Sequence, residues 1–216
     1  MQKAETILYQ VKSGIYVNLT NRCPCACTFC IRNNADHVYT EKAPLWLDHE
    51  PSFEEVKAAI LAENMDSYSE AVFCGFGEPT EALDMLLQTA QFLKAHYRWL
   101  PLRLNTNGLG SLINGKPIAP LFQGLLDTVS ISLNTSDEER YLKTVRPSFG
   151  KAAYPAMLAF AKECTAYVPH VVMTTVHTTI PEEDEQRCAE LCRELGVTYR
   201  IREYSAAPDD SSREGK

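Results

Sequence analysis

The sequence has no long uninterrupted run of apolar residues and no excess of basic side chains. A membrane-spanning helix needs about 20 consecutive, mainly apolar residues, so we expect no membrane span. Residues 1–12 also lack the apolar centre of a secretory signal peptide, and we therefore expect a cytoplasmic protein. The 21 Lys and Arg residues against 28 Asp and Glu residues give a net charge of −7. This balance argues against a nucleic-acid partner, because binding a phosphate backbone usually requires a basic face.

The composition is typical of a globular domain, with 45% hydrophobic and 23% charged residues. The chain has 216 residues, enough to bury a sizeable core. In a reducing compartment its eight cysteines are expected to be metal ligands, catalytic thiols or core residues rather than disulfides. Cys164, Cys188 and Cys192 are predicted core residues, since the last two share an apolar helical stripe. The acidic run 182–185 fits the first turn of that helix and is predicted to be solvated.

Strand and helix patterns alternate along the chain. Strand candidates lie at 15–20, 71–74, 102–106, 128–133, 171–176 and 197–202. Capping-box pairs at Ser52 and Glu55, and at Ser136 and Glu139, predict the starts of two helices. Such alternation favours parallel βαβ units, so we predict an α/β fold that forms a partial (β/α)6 TIM-like barrel. We expect one domain over residues 1–205, with 1–14 as an N-terminal arm and the polar tail 206–216 disordered.

Several predicted strands alternate apolar and polar residues. Because successive side chains point to opposite faces, one face of the sheet should meet helices and the other should be polar. A polar face suits the interior of an incomplete barrel that holds a ligand; the alternative is an antiparallel sheet with one solvated face. The inward polar positions are predicted to be Asn18, Arg103, Asn105, Ser132 and Arg200.

A cysteine-rich loop follows the first predicted strand. Cys23, Cys27 and Cys30 have the spacing C-x3-C-x2-C, and Cys thiolates are the usual ligands of iron–sulfur clusters. Three thiolates leave one iron of a [4Fe–4S] cubane open to a small molecule. Zinc is the alternative metal, with Cys25 as a fourth ligand, but the paired C-x2-C spacing common in structural zinc sites is absent.

This loop resembles the signature of the radical S-adenosylmethionine (radical SAM) superfamily, including Phe29 before the last cysteine. The segment 74–79, Cys-Gly-Phe-Gly-Glu-Pro, resembles that superfamily's Gly-Gly-Glu motif, with Phe76 between the glycines. Segments 104–108 and 130–134 resemble its third and fourth strand ends, and the fold expected is its minimal core. The resemblance implies a [4Fe–4S] cluster on Cys23, Cys27 and Cys30. It also implies SAM binding by Phe29, Gly75, Gly77, Glu78, Asn105, Ser132 and Asn134.

The whole chain is also similar to a group of small radical SAM proteins associated with TatD-type nucleases. That similarity covers segments 45–47, 50–52, 73–75, 104–108 and 202–204. The resemblance implies reductive cleavage of SAM, hydrogen abstraction from a small-molecule substrate, and a flavodoxin or ferredoxin as electron donor. A glycyl-radical activase of a partner protein and a non-catalytic zinc-binding domain are the alternatives.

The substrate predicted most specifically is a small planar metabolite. By similarity to small radical SAM enzymes of queuosine salvage, it would be queuine, cleaved by a C–N lyase to 7-aminomethyl-7-deazaguanine. Trp46 would stack on the base, while Asp48 and Glu50 would accept hydrogen bonds from a guanine-like edge. The predicted substrate residues are Asn18, Trp46, Asp48, Glu50, Arg103, Arg200 and Tyr204.

Overall fold

The computed structural model describes residues 6–33 and 45–202. One sheet runs through this part of the chain, and its seven strands lie side by side in chain order. They are β1 (Leu8–Val11), β2 (Gly14–Val17), β3 (Glu70–Phe73), β4 (Leu102–Thr106), β5 (Thr128–Ser132), β6 (His170–Val176) and β7 (Thr198–Arg202). The β1 strand pairs antiparallel with β2, and every later neighbouring pair is parallel. The sheet is open, with β1 and β7 at its edges, as expected of a partial barrel.

Helices connect the parallel strands. They are α1 (Phe53–Ala62), α2 (Leu83–His96), α3 (Gly110–Asn114), α4 (Glu138–Val145), α5 (Ala153–Cys164) and α6 (Glu182–Leu195). The predicted capping box of Ser52 and Glu55 opens α1. The second predicted box is wrong, because Asp137 caps α4 by accepting from the backbone N–H of Arg140. The hydroxyl of Ser136 instead donates to Asp184.

The two faces of the sheet differ as the alternation predicts. Apolar strand residues on one face are buried beneath the helices: Ile15, Val17, Ala71, Phe73, Leu102, Leu104, Val129, Ile131, Val171 and Met173. The opposite face, called the polar face below, carries Tyr16, Arg103, Asn105, Ser130, Ser132, Thr174 and Arg200 on adjacent strands. Polar groups therefore cover the side of the sheet that faces away from the apolar core.

The helical layer confirms the core cysteines and corrects one prediction about charge. Cys164, Cys188 and Cys192 are all buried in the main core. Asp184 lies within the acidic run predicted to be solvated, yet it is fully buried. The prediction failed there because the side chain turns inward to hydrogen-bond donors on the loop after β5. Helices in the described ranges are all too short or too polar to cross a membrane.

Candidate active site

The cysteine-rich loop lies at the carboxyl end of β2 and is fixed to α4. The backbone N–H of Thr28 donates to the carbonyl of Thr144 at 2.8 Å. The N–H of Ser148, beyond the same helix, donates to the carbonyl of Pro24 at 2.8 Å. Backbone hydrogen bonds at both points hold residues 24–28 against the end of α4, so this part of the loop is anchored without any metal.

The turn after β3 packs directly beneath the same loop. The backbone N–H of Glu78 donates to the carbonyl of Arg22 at 2.8 Å. A Cβ atom on Gly77 would lie 2.2 Å from the carbonyl oxygen of Thr20 and 2.7 Å from that of Arg22. These atoms belong to backbone that cannot move aside easily, so position 77 requires glycine. The Gly-x-Gly-Glu turn and the cysteine loop thus form one unit.

Two of the predicted cluster ligands contact Cys25, which is not a predicted ligand. Cys25 is buried and hydrogen-bonds to Cys23 and to Cys27. These bonds raise the pKa of Cys25, and the bond from Cys25 lowers the pKa of Cys23. The backbone N–H of Cys30 donates to the carbonyl of Cys27 at 3.1 Å, and its Sγ accepts a hydrogen bond from Arg32 Nε at 3.4 Å.

The described His, Cys, Asp and Glu side chains include no group of three or more that could hold a single metal ion. A [4Fe–4S] cubane needs a different arrangement of ligands, because each thiolate binds a separate iron atom. Cys23, Cys27 and Cys30 are all partly exposed on one anchored loop, whereas Cys25 is 5% exposed. The chemistry and the accessibility of this donor set therefore fit an iron–sulfur cluster.

Arg32 is a site residue that the sequence patterns did not indicate. Besides contacting Cys30, its Nη1 donates to the carbonyl of Asn21 and its Nη2 to that of Cys25, each at 3.3 Å. Its guanidinium carbon lies 5.8 Å from the ring centroid of Trp46. Arg32 therefore joins both ends of the cysteine loop to the segment that follows it.

Glu78 is buried and connects the ends of β3 and β4. Its Oε1 accepts from the N–H of Thr80 at 3.1 Å, the hydroxyl of Thr80 at 2.8 Å and the hydroxyl of Thr106 at 2.7 Å. Its Oε2 accepts from the N–H of Asn107 at 2.7 Å. Burial raises the pKa of Glu78, although these hydrogen bonds act in the opposite direction. Each carboxylate oxygen has two lone pairs and Oε2 accepts only one hydrogen bond, so one acceptor position on Oε2 stays available.

Asn18 and Gly75 form a close pair at the ends of β2 and β3. The amide nitrogen of Asn18 donates to the carbonyls of Thr6, at 3.2 Å, and Leu45, at 2.8 Å. Its Oδ1 is buried and has no hydrogen-bond partner within the described ranges. A Cβ on Gly75 would lie 1.9 Å from this oxygen, so glycine is needed for the approach. Such an orphaned buried acceptor is unusual and suits a position beside a ligand that donates.

Arg103 occupies the centre of the polar face and is held in one orientation. Its Nε and Nη2 contact both carboxylate oxygens of Glu70, at 3.0 and 2.7 Å. Its Nη1 donates to Asn105 Oδ1 at 3.1 Å, and its Nη2 also reaches the hydroxyl of Tyr16 at 3.3 Å. Arg200 lies on the same face of β7 but is exposed, as expected on an edge strand.

The turn after β5 carries two predicted SAM residues and is fixed from behind. Asn134 has a φ of +67°, and its side-chain amide donates to the carbonyl of Ser132 at 3.2 Å. The next two residues bind the buried Asp184: Thr135 Oγ1 at 2.6 Å and the Ser136 N–H at 3.0 Å. These hydrogen bonds fix the turn against α6, so the left-handed backbone conformation of Asn134 is stabilised by its surroundings.

Three of the remaining predicted substrate residues, Trp46, Asp48 and Glu50, lie in the segment after residue 44. Trp46 is 39% exposed and packs edge-on against Phe76, with ring centroids 5.0 Å apart. Asp48 and Phe29 are at least partly exposed. Glu50 contacts Arg22 through both of its oxygens, at 2.5 and 3.0 Å. The hydroxyl of Thr20 donates to Glu50 as well. Tyr204 lies outside the described residues.

Comparison with known proteins identifies the class. The model of the Radical SAM superfamily matches residues 17–195, so the chain belongs to that superfamily. Its cofactors are accordingly a [4Fe–4S] cluster and SAM, which sets the zinc-binding alternative aside.

Particular relatives are more distant. A GTP 3′,8-cyclase from Corynebacterium glutamicum (strain R) is 28% identical over 200 residues, which cover 89% of this chain and 49% of the cyclase. This chain thus spans about half the length of that curated relative. A radical SAM methyltransferase from Sphaerobacter thermophilus superposes with a TM-score of 0.65 at 13% identity, over 93% of this chain and 69% of its own. Streptococcus suis SuiB bound to SAM gives 0.60 at 19% identity, over 90% and 39%. These names give no support to a queuine lyase or to the TatD-associated group, and both stay predictions.

Proposed function

We propose that this radical SAM enzyme acts on a small molecule bound against the polar face, with the cluster held by Cys23, Cys27 and Cys30. The observation that supports the proposal is the packing of the cysteine loop on the Gly77–Glu78 turn, where the Glu78 N–H donates to the carbonyl of Arg22 and Gly77 approaches the carbonyl of Thr20. When bound, the cluster and SAM supply a 5′-deoxyadenosyl radical that abstracts a substrate hydrogen. The protein's own task is to position that hydrogen and to exclude water.

Glu78 is the proposed acceptor for the amino group of SAM. Three donors occupy Oε1 and one occupies Oε2, which leaves the second acceptor position of Oε2 for a ligand. Because the carboxylate is buried and already braced, a further N–H would meet an oxygen that does not need to reorient. The unpartnered Oδ1 of Asn18, beside Gly75, is a second acceptor at the same edge of the sheet.

The polar face supports a compact substrate with several hydrogen-bonding groups. Two hydrogen bonds to Glu70 fix the guanidinium of Arg103, so the part of this group that is not in contact with Glu70 has a fixed orientation on the polar face. Arg200 has an exposed side chain on the same face. Binding sites for small molecules commonly use a few well-placed polar groups to fix the orientation of the ligand. The overall charge of −7 disfavours a nucleic acid.

A planar, guanine-like base is the substrate class that we propose to test first, with the queuine C–N lyase as its most specific form. A distant relative is named for GTP, which carries a guanine. Trp46, half-exposed beside the cysteine loop, is the proposed stacking residue. Asp48 keeps its proposed role at the base edge. Glu50 is the weaker acceptor, because Arg22 and Thr20 already use its oxygens.

The test is release of 5′-deoxyadenosine from SAM by the anaerobically reconstituted protein, with dithionite or reduced flavodoxin or ferredoxin as electron donor. Queuine, guanine and GTP are each compared with no addition. We expect a guanine-like compound to stimulate release well above background, and Cys23→Ala to abolish it. Stimulation only by tRNA would contradict the substrate proposal, and stimulation only by a partner protein would support a glycyl-radical activase instead.

A further inference from the structure

Arg32 makes three hydrogen bonds to the cysteine loop. Its Nε points at Cys30 Sγ, and its two terminal nitrogens each donate to a backbone carbonyl, those of Asn21 and Cys25. These partners belong to three separate points of the loop. A guanidinium is planar and its donors have a fixed fork geometry, so three such contacts define one orientation of the group.

The surroundings keep this positive charge close to the sulfur. A guanidinium is always charged in proteins, and Arg32 Nε lies 3.4 Å from Cys30 Sγ. Trp46 lies against the guanidinium at 5.8 Å, and its own ring is fixed by Phe76. A cation held over an aromatic ring is stabilised by the ring electrons, so Trp46 supports the same position.

We propose that Arg32 is a positioning residue that raises the reduction potential of the cluster through its N–H on the Cys30 sulfur. The inference rests on the assignment of Cys30 as a cluster ligand in the proposed function. Hydrogen bonds to the sulfurs and the net charge nearby are main determinants of such potentials. Reduction adds one negative charge, and a cation at hydrogen-bond distance from a ligand sulfur stabilises the reduced state more than the oxidised state.

The experiment is a redox titration of the anaerobically reconstituted protein without SAM, in which the reduced cluster is followed by electron paramagnetic resonance. Arg32→Gln removes the charge and the planar set of guanidinium donors, whereas Arg32→Lys keeps the charge but loses that donor geometry. Arg98→Gln is the matched control, because the exposed Arg98 precedes β4, at the end of the strand remote from the cysteine loop. Iron and sulfide are measured for every variant, so that only loaded protein is compared.

We expect a more negative midpoint potential in Arg32→Gln, a smaller shift in the same direction in Arg32→Lys, and none in Arg98→Gln. If Arg32→Gln fails to hold a cluster, the test rests on Arg32→Lys: a more negative potential supports the inference, and an unchanged potential overturns it. An unchanged potential in every loaded Arg32 variant, or an equal shift in Arg98→Gln, overturns the inference while leaving the cluster assignment intact. Failure of the unaltered protein to form a [4Fe–4S] cluster would instead overturn the proposed function itself.

Discussion

Replacing Glu78 separates its role in the fold from its role in binding SAM. Glu78→Gln keeps one oxygen, which can accept from Thr80 and Thr106 as Oε1 does. The new amide nitrogen then faces the backbone N–H of Asn107, so two donors oppose each other where Oε2 accepted at 2.7 Å. A buried donor left without an acceptor costs about 1–3 kcal/mol, which is the destabilisation expected for this variant.

SAM binding should weaken by a similar energy for a different reason. A charge-assisted hydrogen bond contributes on the order of 1.5–3 kcal/mol, which corresponds to roughly a 10- to 150-fold loss of affinity. Thr80→Val is the matched control, because it removes one hydroxyl donor to Glu78 but keeps the carboxylate. It should destabilise the fold while changing SAM affinity little.

The assay is calorimetric titration of SAM into reconstituted protein under anaerobic conditions, combined with chemical denaturation of each variant. Burial raises the pKa of Glu78, so its ionisation opposes folding. Stability of the unaltered protein relative to Glu78→Gln should therefore be greatest below about pH 4, the ordinary range of a glutamate, and decline as pH rises through the raised pKa. Equal SAM affinity in Glu78→Gln and the unaltered protein, with the cluster intact, would refute the binding role.

Two further predictions follow from buried contacts. Gly77→Ala places a methyl group 2.2 Å from the carbonyl of Thr20, so it should destabilise the protein by about 1–3 kcal/mol and reduce iron per chain on reconstitution; normal iron content would contradict this packing. Burial raises the pKa of Asp184, but hydrogen bonds from Ser136 and Thr135 outweigh burial and lower it. Asp184→Asn should therefore cost roughly 1–3 kcal/mol in denaturation near neutral pH. That difference should shrink as pH falls through the lowered pKa, below about 4, and a pH-independent cost would contradict it.

The two different faces of the sheet were predictable because alternation in sequence maps directly onto the faces of a strand. Leu102 and Leu104 are buried beneath helices, while Arg103 and Asn105 between them lie on the polar face. The glycine at position 77 was indicated by the resemblance of residues 74–79 to the superfamily's Gly-Gly-Glu motif, and the structure adds the reason, which is close approach to the backbone of the cysteine loop.

Arg32 and Asp184 could not be predicted from local patterns. Asp184 belongs to an acidic first turn of a kind that is usually solvated, and its partners lie 48 and 49 residues earlier. Arg32 gains its importance from carbonyl groups at Asn21 and Cys25, which carry no side-chain signal. Contacts to the backbone and across long sequence separations depend on the fold, so only the structure shows them.

The most direct test of the proposed cluster ligands compares iron and sulfide content in four cysteine variants after anaerobic reconstitution. We assign ligation to Cys23, Cys27 and Cys30, although Cys25 hydrogen-bonds to two of these thiols. The unaltered protein and Cys25→Ala should each contain about four irons and four sulfides per chain, and replacing any of the other three by Ala should abolish the cluster. Loss of the cluster in Cys25→Ala together with its retention in Cys23→Ala would contradict the assignment.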